Sequence, residues 1–83
     1  MKLGQYEIVE RIYRKLLFYQ ENKKAIHIKL VGGGWRNGNI LDLSQKKFTL
    51  VLDEFKMGAI PILLEDILED SIDEYRLKPE GNP

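Results

Sequence analysis

Hydrophobic and polar positions follow two rhythms along this chain, and the change near residue 25 divides it. In YEIVERIYRKLLFYQ, residues 6 to 20, Val9, Ile12, Tyr13, Leu16 and Tyr19 recur at helical spacing, so one apolar stripe runs along an otherwise polar cylinder. Glu7 and Glu10 lie toward the positive end of that cylinder, and Lys23 and Lys24 just beyond its negative end. The spacing predicts a helix over about 5–21. Asn22 is expected to end it, because asparagine tolerates left-handed backbone.

From residue 25 the period becomes two. AIHIKLV sets Ile26, Ile28 and Leu30 against His27 and Lys29, the pattern of a half-buried strand. WRNGNILDLS and KFTLVLDE predict two further strands, separated by the polar turn Ser44 to Lys47, and AIPILL predicts a fourth, entered through Met57 and Gly58. Pro61 cannot donate a ladder hydrogen bond, which places that strand at an edge or beside a bulge.

The glycines between the first two strands permit two readings, a phosphate cradle or a turn. A phosphate-binding loop joins a strand to a helix, usually with Lys and Ser or Thr following. Here a strand follows Gly32, Gly33 and Gly34, so a hairpin turn using positive backbone angles is predicted. Gly38, inside the second strand, predicts a bulge or sharp bend that curls the sheet. Trp35 is expected to pack as a core or rim aromatic rather than to serve as a base-stacking platform.

Composition narrows the function classes. A chain of 83 residues holds one small domain. Its 13 basic and 13 acidic residues cancel, which removes the simplest argument for nucleic-acid binding and leaves only local contacts. The signs are segregated, with Arg11, Arg14, Lys15, Lys23 and Lys24 early and Glu65, Asp66, Glu69, Asp70, Asp73 and Glu74 late. Each cluster reads first as a solvated face and second as a head-to-tail contact between subunits. The absence of cysteine excludes disulfides, thiolate metal sites and cysteine nucleophiles, and a cytoplasmic setting is expected. MKLGQYEIVERIYRK carries charges throughout and does not read as a signal peptide.

Catalytic chemistry finds little to work with. His27 stands mid-strand beside lysines, neither Ser44 nor Ser71 has a nucleophile-elbow setting, and the acidic clusters lack calcium-loop spacing. No enzyme, metal site, cofactor, membrane contact or small-molecule substrate is expected.

Residues 25–64, with their alternating apolar run, tight turn, Gly38, Ile40 and Leu43, then Phe48, Leu50 and Leu52, and finally GAIPILL, resemble the Sm-like (LSm) family. The resemblance implies a mainly β fold, an N-terminal α-helix followed by a strongly bent five-stranded Sm-like antiparallel barrel over about 25–77, within one domain spanning 1–77. Residues 78–83 are expected to form a flexible tail. The resemblance also implies a homo-oligomeric ring in which the fourth strand pairs with a neighbour's fifth, so Ile60, Pro61, Ile62, Leu63, Leu64 and Ile67 are the candidate interface. Family members bind single-stranded, often uridine-rich RNA through an Asp and an Asn in the turn between the second and third strands and an Arg-Gly pair after the fourth. In this chain Ser44 stands near the Asp, Thr49 near the Asn, and Leu63 and Leu64 at the Arg-Gly positions. Ser44, Lys46, Lys47 and Thr49 are therefore the candidate site for weak RNA binding, and an assembly module of the same fold without RNA binding is the alternative.

The fifth strand poses a conflict. In LEDILEDSIDEY, residues 64 to 75, Leu64, Ile67, Leu68, Ile72 and Tyr75 take helical spacing, whereas the family pattern asks for a strand over about 67–72. The strand is the expectation adopted.

Overall fold

The computed structural model describes residues 2–76, so the tail expected over 78–83 lies outside the described residues. The elements are a helix α1 (Leu3–Glu21), then β1 (Ile26–Lys29), β2 (Trp35–Ser44), β3 (Thr49–Glu54), β4 (Gly58–Leu63) and β5 (Asp73–Glu74). Two single turns of 3-10 helix, η1 (Leu64–Asp66) and η2 (Glu69–Ser71), separate the last two strands. The fold is mainly β, with an N-terminal helix and one five-stranded antiparallel sheet of order β4-β3-β2-β1-β5.

The helix ends differently from expectation. Lys23, not Asn22, adopts the left-handed conformation (φ 54°). Its N–H reaches Gln20 O at 3.1 Å and that of Lys24 reaches Tyr19 O at 3.0 Å, the paired bonds of a Schellman cap. Asn22 contributes through its side chain, whose Nδ2 donates to Phe18 O at 2.7 Å.

Val9, Ile12 and Leu16 form the buried stripe of α1 and pack with Ile26 and Ile28 of β1, Leu50 and Leu52 of β3, Ile62 of β4, and Leu64 and Ile67. β1, β3 and β4 send alternate residues to this one core, as the period of two requires. The glycine run is a hairpin turn: Leu30 N–H bonds Gly34 O at 3.0 Å, and Gly33 and Gly34 have φ of 97° and 89°, a conformation that favours glycine.

β2 carries a register shift between Ile40 and Asp42, which leaves Leu41 exposed. Phe55, just past β3, meets Tyr75, just past β5, with ring centroids 5.1 Å apart. Three strand intervals separate the two, about 14 Å on a flat sheet, so the sheet is curled at this end.

Curling stops short of the expected barrel. Among the described residues β4 and β5 do not pair, and the sheet is open. The reason lies in residues 64–75, where neither a helix nor the expected strand over 67–72 forms. Val31 N–H bonds Asp66 O, Leu30 bridges Ile67, and Leu68 N–H bonds Lys29 O. Pairing then resumes with Asp73 opposite His27 and Glu74 opposite Ile26. From Leu30 to His27 the first segment advances three positions while the later one, from Ile67 to Asp73, advances six, so three residues, Glu69 to Ser71, leave the ladder. Within that gap the Ser71 hydroxyl stands in for a strand carbonyl, accepting Lys29 N–H at 2.9 Å.

Candidate functional site

The turn between β2 and β3 is shaped by its own side chains. Ser44 and Thr49 face each other as the closing pair of the ladder, and Ser44 Oγ accepts Lys47 N–H at 3.1 Å. Phe48 takes a left-handed conformation (φ 52°) and lays its ring edge-on against Tyr6 of α1, centroids 5.3 Å apart. Gln45 Nε2 donates to Glu10 Oε1 at 3.2 Å. The turn is thus fastened to the N-terminal half of the helix. Lys46 and Lys47 are exposed and take part in no ion pair among the described residues. Of the expected RNA-facing residues, the fold brings Ser44, Lys46, Lys47 and Thr49 together, with the Ser44 hydroxyl already engaged by the backbone.

The expected interface residues divide between two roles. Ile62, Leu64 and Ile67 turn their side chains into the chain's own core, while Pro61 and Leu63 are exposed and Ile60 is half-buried. Because Leu64 N–H bonds Phe48 O, the alternation of the ladder puts Val51 opposite Pro61 in a pair without mutual hydrogen bonds. The imide nitrogen of Pro61 therefore points away from β3, along with the N–H groups of Ala59 and Leu63. The outer edge of β4, which no described strand pairs, has donors at two positions and none between them.

Other side chains at the strand ends are occupied structurally. His27 lies parallel to Trp35, centroids 4.0 Å apart, and its Nδ1 donates to Asn37 Oδ1. Lys29 Nζ sits 5.8 Å from the same indole centroid, so Trp35, though 46% exposed, is held by its own chain. A cleft lined by His27, Asp73, Glu74, Tyr75 and Arg76 opens beside this stack.

Glu54 is the one buried charged residue among those described. Its carboxylate accepts N–H groups from Asn37 at 3.1 Å, Lys56 at 2.7 Å and Met57 at 3.0 Å, closing the turn between β3 and β4. The Asn37 N–H, then that of Lys56, hold its carboxyl below the usual carboxylate range. An acid at a strand end just before a tight turn was the legible signal for this cap.

The segregated charges, read as solvated faces or intersubunit contacts, meet partly within the chain. Arg11 Nε and Nη2 grip Glu69 at 2.9 and 3.0 Å, and Lys15 Nζ lies 3.1 Å from the same carboxylate. Lys24 pairs with Glu74 at 3.1 Å. The Arg11 bond, then that of Lys15, holds the Glu69 carboxyl down at about 2.

Among the described residues no group of three or more His, Asp or Glu could hold a metal ion, and no helix is long and apolar enough to cross a membrane. Comparisons with protein-family models, with curated proteins and with solved structures find no match.

Proposed function

We propose that this chain is an Sm-like subunit that assembles with copies of itself edge to edge, the β4 of one copy joining the β5 side of the next, and presents Lys46 and Lys47 repeatedly to single-stranded RNA. The observation that carries the reading is the sheet order, which among the described residues leaves β4 and β5 as the two unpaired edges of one curled sheet. An isologous contact of β4 with β4 would satisfy one edge and leave the other open; a heterologous contact satisfies both, and a ring forms when the rotation from copy to copy closes.

Two exposed lysines per chain bind phosphate weakly, and a ring multiplies them around one axis. The positions where the family has Arg and Gly hold Leu63 and the buried Leu64, which supply no side-chain donor to a base. The expected binding is therefore weak, salt-sensitive and indifferent to sequence. That same lack of donors favours a second reading, an assembly module that binds no RNA.

Mass measurement by sedimentation before and after nuclease treatment tests the proposal. A closed oligomer of defined mass is expected, with bound RNA removable without dissociation; a monomer across micromolar concentrations would refute assembly, and an oligomer that never carries or binds RNA would leave the assembly module.

A further inference from the structure

Residues 66–75 run beside β1 in two registers that disagree by three residues, and the reason lies in which side chains each register would bury. If the pairing of Leu30 with Ile67 continued unbroken, Glu69 would stand opposite Ile28 and Ser71 opposite Ile26, on the face that holds the core. Ile72 would then turn outward. Looping out Glu69 to Ser71 lets Ile72 pack against the core and swings Glu69 onto α1 between Arg11 and Lys15, while Glu74, now opposite Ile26, is paired with Lys24. The excursion also interrupts the outer edge of the segment, so the free edge beside β1 is short.

We propose that Glu69, drawn onto α1 by Arg11 and Lys15, is a register lock, which holds residues 69–71 out of the ladder and thereby limits the edge that a second copy's strand can join. The limit on assembly rests on the edge-to-edge reading above; the register itself does not. Glu69 acts both by attraction to the helix and by refusing a place opposite Ile28, since an unpaired carboxylate there would be desolvated. Strand edges that are cut short in this way resist uncontrolled pairing.

The two contributions separate in two variants. Glu69→Gln removes the ion pairs but stays polar, so residues 69–71 remain looped out. Glu69→Leu supplies an apolar side chain suited to the position opposite Ile28, so the segment slides into one continuous register. Cross-strand Hα contacts in nuclear magnetic resonance spectra read this directly. Glu69→Gln keeps the Ile26–Glu74 contact; Glu69→Leu loses it and gains Ile26–Ser71, together with heavier species in sedimentation. Retention of Ile26–Glu74 in Glu69→Leu would overturn the lock. Register slip without heavier species would overturn only the link to assembly.

Should Glu69→Leu not fold, the double variant Arg11→Gln, Lys15→Gln changes only partly exposed side chains and leaves the core intact. Amide exchange at Ser71 and Ile72, whose N–H groups close η2, is expected to quicken by roughly tenfold while Leu50 and Leu52 stay unchanged. Unchanged exchange at Ser71 and Ile72 would overturn the proposal.

Discussion

Gly38 on β2 and Asp53 on β3 approach so closely that a Cβ built on Gly38 would lie 2.7 Å from the Asp53 carbonyl carbon. The atom in the way is backbone, which cannot swing aside as a side-chain tip would. Gly38→Ala is therefore expected to destabilise by about 1–3 kcal/mol, the range for forcing extra volume into a packed site. Denaturant unfolding that leaves the midpoint at its wild-type value would contradict this.

Ile12 is fully buried at the centre of the helix stripe, within the core cluster, and lies beside Ile67 of the segment after β4. Ile12→Ala removes that contact and leaves a cavity, at a cost of about 2–5 kcal/mol. Chemical denaturation measures it; a loss below the cost of a surface change would mean that the helix is not docked as described.

Acid should unfold the protein through carboxylates whose pKa is depressed in the fold. Glu69, drawn down to about 2 chiefly by Arg11 and then Lys15, contributes stability that is present above the unfolded carboxylate value of about 4.3 and is lost as pH falls through its folded value. Glu54 acts in the same direction through its N–H partners. The thermal midpoint is expected to fall between about pH 4.3 and about pH 2, and to fall less steeply in Glu69→Gln. Identical acid profiles for the two proteins would exclude Glu69 from the effect.

Lys46 and Lys47 supply the local positive charge of the β2–β3 turn, so the Lys46→Glu, Lys47→Glu double variant is expected to abolish oligouridine binding at low salt without altering stability. Fluorescence anisotropy with a labelled oligouridine reads the loss. Binding that survives in the double variant places the RNA contact elsewhere.

The helix and first four strands were legible because each buries one face against one core, and a single face leaves a single period in the residues. Residues 64–75 were not. Ile67 and Ile72 both reach the core, yet they stand an odd number of positions apart, which no unbroken strand can reconcile. Their spacing imitates a helix, and the chain resolves the conflict with a three-residue excursion that neither period announces. At the candidate site, the sequence shows the nearness of Ser44, Lys46, Lys47 and Thr49, which lie at one turn in the fold. It could not show that the Ser44 hydroxyl would be spent on Lys47 N–H, or that Ile62, Leu64 and Ile67 would face inward, because both depend on how the turn and the sheet curl.

Pro61 makes the outer rim of β4 a gapped connector. Its missing donor leaves Ala59 and Leu63 as the two pins, about 13 Å apart along the strand. A strand laid along this rim sets a carbonyl opposite the blank at Pro61 in every alignment, and that carbonyl must find its hydrogen bond in water. One imide nitrogen thus weakens any joint made through this side at its middle, where an unbroken rim would hold evenly along its length.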